Sequence, residues 1–403
     1  MQYLLLFLTV LAPQQDQATR TAHWNEDLAF FKDNFKAKHI KPFTKITEAE
    51  FDEAVKAIDP GKLNDQQIVM KLWQLLGRVR DSHSRLNPPR TMGFTQYPIA
   101  FIYLTDGWYV FGVEQAQPQV LEGKLIKIGN TPIEEACKKL SSFIASENAS
   151  QTMSQLPRLL QMTQPLHELG LVEDSAKASF TILTKEGKET VVTLAPITRG
   201  PANWKLAVKP ETWPDHLKQN RPQHGYTWLG THLYVWYDRC SEFPTYPIKK
   251  WTQDVLDQID EKKPGKVIVD IRRNGGGNSQ LLEPLINALS KKEINTKETL
   301  CVLIGPATFS SALMNAEHFK TRTKATLVGE PTGGSPNHFG EVKTFTLPHS
   351  KCVVQYSTKR FQMTNDNAQT LAPDVEIKQT AQGFFADKDE VLEAVLSGSA
   401  KKN

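Results

Sequence analysis

Few cysteines occur in this chain, and no two of them are close together. Cys137, Cys240, Cys301 and Cys352 show neither C-x-x-C spacing nor the spacing of zinc ligands. No metal and no cofactor is therefore expected. Cys301 and Cys352 lie in apolar runs and read as buried small hydrophobes. One disulfide stays open for an exported chain. Blocks of arginine or lysine are also missing: 48 basic and 44 acidic residues leave a formal charge of +4, spread along the chain. Such a distribution carries no nucleic-acid footprint. No apolar run is long enough to span a bilayer. The one that could interest a membrane, YLLLFLTVL at residues 3–11, is short and is followed by APQQDQA. It reads as a secretory signal within residues 1–19, although a positively charged start is absent. A buried N-terminal strand is the competing reading. The expectation is an exported protein, periplasmic or extracellular, with no stable membrane insertion after signal removal. Asn148-Ala149-Ser150 is a glycosylation sequon wherever the source has that machinery.

What is present is enough for several domains. A chain of 403 residues, 39% hydrophobic and 23% charged, is too long for one ordinary core. Residues 20–90 read as a helical N-terminal domain. Trp24, Leu28, Phe31 and Phe35 recur at helical spacing, as do Phe51, Val55 and Ile58, and then Ile68, Leu72, Leu75 and Leu76. Residues 91–200 alternate in short strand-like runs with a helical insertion. Residues 201–403 alternate strand and helix, which predicts a parallel-rich sheet wrapped by helices. Phe339 to Leu347 and Cys352 to Ser357 are expected as antiparallel edge strands of that sheet, and 389–395 as a last helix.

The most informative stretch is Cys301 to Gly334, CVLIGPATFSSALMNAEHFKTRTKATLVGEPTGG. An apolar strand ends at Gly305-Pro306, and Ser310-Ser311 opens a helix. That geometry can lift a hydroxyl above a sheet edge, beside backbone N–H groups and a helix N-terminus. A serine in this position more often merely caps the helix.

TFSSA with LVGEPTGG resembles the C-terminal-processing (tail-specific) serine peptidase family, and so do VIVDIRRNGGGNS at 267–279, STKR at 357–360 and APDV ending at Val375. The likeness extends over most of the chain after about residue 45. It implies a serine endopeptidase built from an N-terminal helical domain, a PDZ-like β-rich domain and a ClpP/crotonase-like α/β core. A peptide or unfolded protein would be the substrate, and homo-oligomers stay open. Ser310 matches the family's nucleophile, by its distance from Glu330 in the GE turn. Alignment of Asn274-Gly275-Gly276-Gly277 with the family's glycine loop puts an oxyanion donor on Gly276, with Gly275 as second choice. Ser311 would supply its backbone N–H, with its side chain turned away. Where many members carry a lysine base this chain has Ser335, so the histidine-base, tricorn-like branch is the closer match. The DSHS stretch then makes His83 the base, a histidine whose near-neutral pKa needs no burial. For the third residue the resemblance points to Asp366, ahead of the PD turn, with Glu330 as the alternative and Asp374 read as structural. Two other readings remain beside the peptidase: a non-catalytic peptide-binding protein on the same fold, and a hydrolase of a non-peptide ester or amide. The 91–200 segment lacks a clear carboxylate-binding glycine loop, so it reads equally as a tail-gripping module and as a cover.

Overall fold

The computed structural model describes residues 16–198, 204–207 and 221–400. The apolar run at residues 3–11 lies outside the described residues. Among those described, no helix is long and apolar enough to cross a membrane.

Three helices open the chain: Gln17–Lys38, Glu48–Lys56 and Asp65–Val79. Two of them start at reciprocal caps, Thr47 with Glu50 and Asn64 with Gln67, each satisfying backbone donors that the first turn leaves orphaned. The third stops at Arg80, whose φ of +58° is left-handed, and this turn delivers the DSHS segment. Phe31, Phe35 and Phe51 stack at the centre of this helical unit. Its core is completed from far along the chain, by Phe345, Leu347, Cys352, Val354 and Tyr356.

Those residues belong to a hairpin that differs from its sequence-based expectation. Asn337–Thr346 and Val353–Gln362 pair antiparallel, but they are not edge strands of the core sheet. They form a separate three-stranded sheet with Arg85–Asn87, in register Arg85↔Gln355, Leu86↔Val354 and Asn87↔Val353. The apolar face of the hairpin packs on the N-terminal helices. That burial contributes roughly 1.5–3 kcal/mol for each large side chain. The segment after His83 is thereby clamped to residues more than 250 positions later.

Residues 99–206 contribute a seven-stranded antiparallel sheet, with Ile99–Leu104, Gly107–Glu114, Lys124–Ile128, Ala178–Leu183 and Glu189–Leu194 in spatial order. Trp204–Leu206 returns to pair with Gly107–Glu114. The helices Ile133–Leu140, Ala149–Leu159 and Thr163–Glu168 interrupt this sheet in sequence, and Leu140, Leu156 and Leu166 share its core with Val110, Leu125 and Phe180.

The third sheet has six strands in the order Val375–Glu376, Thr326–Gly329, Leu300–Ile304, Val267–Asp270, His232–Tyr237 and His224–Leu229. All neighbours are parallel except the last pair. Strands covered on both faces read as continuous apolar runs rather than alternating ones. Here Val267, Val269 and Val302 face one core, and Ile268, Cys301, Leu303 and Val328 face the other with Val391 and Val395 of the Glu390–Ser397 helix. Asp374 Oδ2 accepts from Leu327 N at 3.0 Å, a sheet-edge contact. The loops leaving Asp270, Ile304 and Gly329 emerge at one edge of the sheet, the carboxyl end where open α/β sheets hold their ligands.

Candidate active site

Ser310 stands between strand Leu300–Ile304 and helix Ser311–Arg322, with φ +53° and ψ −125°. This backbone conformation is unfavourable for a residue bearing a Cβ and persists only where surroundings over-determine it. They do so here. Thr308 Oγ1 donates to Ile271 O and accepts from Gly305 N, while Phe309 N donates to Asn274 O and Gly334 N to Thr308 O. Ser310 makes no side-chain cap bond to its helix, so the hydroxyl is not spent on the structural task most helix-opening serines perform.

The hydroxyl instead meets His83: Ser310 Oγ and His83 Nε2 are 3.0 Å apart. The two residues are 227 positions apart in sequence. Phe309 stacks on one side of the imidazole at 4.5 Å between ring centroids, and His338 lies near-parallel to it at 5.5 Å. Gln355 Nε2 donates to His83 O, and His83 N donates to Asp81 Oδ1. The ring is only 5% exposed. Burial pushes its pKa down to about 3, helped by the charges of His338 and Arg85 and opposed by Asp81. The imidazole is therefore neutral at ordinary pH. Its burial departs from the expectation of a base that keeps an ordinary histidine value.

The side of the ring away from Ser310 was expected to meet Asp366. That carboxylate is exposed and is committed to its own turn, accepting from Thr364 Oγ1 at 2.8 Å and from Ala368 N at 3.2 Å. The alternative, Glu330, follows the Thr326–Gly329 strand, where burial raises its pKa and Lys378, Glu376 and Arg272 are the charges that act on it. Neither residue is brought to the imidazole. His83 Nδ1 has Ser82 Oγ at 3.4 Å and Asp81 Oδ1 at 4.0 Å. Ser82 Oγ in turn donates to Glu147 Oε1 at 2.7 Å. Glu147 sits between the short turn Ser141–Phe143 and the Ala149–Leu159 helix. Burial raises its pKa to about 7, with the Ser82 hydrogen bond opposing and Asp81 adding to the rise. Its Oε2 has no partner among the described residues.

Asp81 is a hub rather than a free acid. Its oxygens accept from His39 Nε2 at 2.8 Å, Ser84 Oγ at 2.6 Å, Ser357 Oγ at 2.8 Å and His83 N at 3.0 Å. Burial opposes ionisation, but the hydrogen bonds from His39 and Ser84 hold its pKa below the usual carboxylate value. Asp81, His83 and Glu147 are the one group of three potential metal ligands among the described residues with donor atoms within 4.8 Å of one another. With the Asp81 oxygens already shared among four donors, the trio is poorly suited to a cation.

The glycine loop lies against the serine turn. A Cβ on Gly276, whose φ is +105°, would come within 2.7 Å of Ser310 Cβ and 3.0 Å of Phe309 O. No other residue type fits that approach. Gly276 N donates to Asn274 Oδ1 at 2.9 Å, whereas Gly275 N and Ser311 N have no acceptor among the described residues. Ser311 Oγ is turned away and donates to Gly277 O at 2.6 Å. Arg272 anchors the loop's start through Asp270 and Asp389.

The sequence offered one clue to Glu147 that pointed elsewhere, the adjacent sequon. Asn148 is a helix cap: its Oδ1 accepts from Gln151 N, and its Nδ2 donates to Gln369 O at 2.7 Å and Gly333 O at 3.2 Å. It ties the Glu147 loop to the segment that follows Glu330. All four cysteines are free.

No family model matches the sequence, and no curated protein does. Solved structures do. Mature CPAF superposes with a TM-score of 0.65 at 12% identity, covering 95% of this chain and 99% of that one. Mature CPAF complexed with lactacystin gives 0.64 at 12% identity, over 94% and 97%. The photosystem II D1 C-terminal processing protease aligns over 94% of this chain and 97% of its own, at 12% identity and a TM-score of 0.44. The chain takes the fold of mature CPAF over nearly its whole length.

Proposed function

We propose that the chain is a serine endopeptidase with Ser310 as nucleophile and His83 as base. The observation that carries the reading is the 3.0 Å contact between a neutral, buried imidazole and a serine held in an unfavourable backbone conformation with no capping duty. In the reaction Ser310 Oγ attacks the peptide carbonyl carbon as its proton passes to His83 Nε2. The resulting oxyanion accepts from Ser311 N–H and from the glycine loop, where Gly275 has the open donor and Gly276 shapes the approach. The imidazolium returns its proton to the leaving amine, and water, activated by the same imidazole, hydrolyses the acyl-serine.

A histidine base needs its second nitrogen fixed. In this reading Nδ1–H donates to Ser82 Oγ, whose own proton goes to Glu147, so a serine carries the orienting influence of the carboxylate. Glu147 replaces Asp366 and Glu330 as the acid. The β-rich segment 91–200 is then part of the active site, because it supplies this carboxylate, and its role as a PDZ-like gripping module is secondary. Export of the chain remains part of the proposal.

A fluorophosphonate probe tests the reading. It should label the wild-type chain at Ser310, fail with Ser310→Ala, and label His83→Ala far more slowly. Tight peptide binding without labelling would instead support the non-catalytic reading.

A further inference from the structure

Four stacked rings stand beside Ser310, and the proposed reaction uses only one of them. Phe309, His83, His338 and Phe361 follow one another at centroid separations of 4.5, 5.5 and 5.2 Å, with interplanar angles of 26°, 16° and 24°. Separate pieces of the chain supply them. Phe309 precedes the nucleophile in its turn, and His83 follows the third helix. His338 and Phe361 are direct cross-strand partners in the Asn337–Thr346 and Val353–Gln362 hairpin, and so their rings lie against each other. The same hairpin pairs with Arg85–Asn87 and holds the His83 carbonyl through Gln355. One hairpin thus fixes the backbone of His83 and presents a second imidazole to its ring.

The neighbours of His338 set its tautomer and its charge. Its Nδ1 lies 2.8 Å from Ser335 O. A carbonyl can only accept, so Nδ1 carries the proton. Burial lowers the pKa of His338, opposed by hydrogen bonds to the Ser335 and Pro336 backbone and by the charge of Asp81. The ring that meets His83 is therefore a buried, neutral imidazole of fixed orientation. Neutrality matters, because a positive charge on His338 opposes one on His83. As Ser310 attacks, His83 gains a proton where burial strongly disfavours the cation. The negative face of a stacked ring attracts such a cation within about 6 Å. That attraction exists only once the proton has arrived, so it favours the transition state over bound substrate.

Resting on the serine-peptidase reading, we propose that His338 is a positioning residue for the reaction. Its neutral ring, backed by Phe361, keeps the His83 ring aligned on Ser310 Oγ and stabilises the imidazolium that forms there. A mere tether of the turn through Ser335 O needs only the Nδ1–H donor. The positioning role needs the flat aromatic face, and that difference separates the two.

The test uses the full-length chain and a rhodamine-tagged fluorophosphonate, whose reaction requires no knowledge of the substrate. The Ser310 Oγ–P bond forms, the serine proton passes to His83, the P–F bond breaks and fluoride leaves. His338→Asn keeps a donor for Ser335 O but no ring, and His338→Phe keeps a ring but no donor. The maximal labelling rate of His338→Phe should stay within about threefold of wild type, while His338→Asn and His338→Ala should lose about tenfold. The probe concentration giving half the maximal rate should change by less than about twofold in all three, since the ring acts after binding. A rate kept in His338→Asn and lost in His338→Phe assigns the residue to the tether and overturns the proposal. So does any result in which the three variants behave alike. Where circular dichroism shows that position 338 tolerates no change, Phe361→Leu reads the same stack with the Ser335 bond intact. Its maximal rate should fall about threefold or more, and an unchanged rate overturns the proposal. A wild-type chain that the probe does not label overturns the peptidase reading, and the role of His338 falls with it; a labelled wild type with unaffected variants overturns that role alone.

Discussion

The two halves of the proposed catalytic pair are built in opposite ways. The nucleophile half is local: strand Leu300–Ile304, the Thr308–Ser310 turn and helix Ser311–Arg322 follow one another within about two dozen residues, and the glycine loop packs on them. The base half is assembled from distant pieces. His83 hangs from the end of a helix, is clamped through Arg85–Asn87 to the Val353–Gln362 strand, and is backed by Glu147 from the β-rich unit. A local turn keeps its geometry when remote packing loosens. A base held by three separate units does not, so small changes far from the chemistry should act mainly on His83.

The sharpest break in that comparison removes the base. His83→Ala should lower kcat by about 10³-fold or more while circular dichroism and melting temperature stay near wild type; activity within threefold of wild type would refute the assignment. Next comes an attack on the local half. Gly276→Ala places a Cβ 2.7 Å from Ser310 Cβ at a positive φ. Turnover should fall about 10²-fold or more, with a lowered melting temperature because the serine turn must shift. Normal turnover in a crystal-verified variant would show that the loop does not shape the site.

Glu147 tests whether the assembled half works as a relay. Its pKa of about 7 means that the carboxylate form exists above that pH and is lost as pH falls through it. His83, depressed to about 3, stays neutral well below. The acid limb of kcat should therefore fall near pH 7 and report Glu147. Glu147→Gln should lower the plateau about tenfold to a hundredfold and move that limb to lower pH. An unchanged limb at pH 7 in the variant would remove Glu147 from the relay. The smallest effect is expected at Asp366: exposed and bonded only within its own turn, its change to Asn should alter kcat by less than about twofold. A hundredfold loss there would restore it as the orienting acid.

Sequence patterning reached the elements that are local. Buried parallel strands read as apolar runs, and the N-terminal helices as apolar residues at helical spacing. The Gly-Pro break before Thr308 and the glycine loop also made Ser310 visible, since a sharp strand-to-helix turn needs residues of that kind in sequence. Patterning failed where the partner is remote. The hairpin 337–362 was readable as two strands, but alternation does not say which sheet a hairpin joins. The apolar faces of Phe345 and Tyr356 were claimed by the N-terminal helices.

The acid is the clearest case. Asp366 was favoured because it stands at a family position along the chain, and chain position carries no information about which carboxylate faces a given imidazole nitrogen. Glu147 lies 64 positions after His83 in an unremarkable polar turn, next to an asparagine whose local pattern suggested a sugar rather than a helix cap. Its approach to Ser82 depends on the β-rich unit docking against the helical one, with Asn148 pinned to Gln369 and Gly333. The sequence by itself determined the strand-turn-helix around Ser310 and the helix that stops at Arg80, three residues before His83, because short-range sterics and capping dictate both. Only the tertiary structure decided that these two meet at 3.0 Å, and which buried carboxylate stands behind them, because burial energy summed over three separate cores sets those contacts.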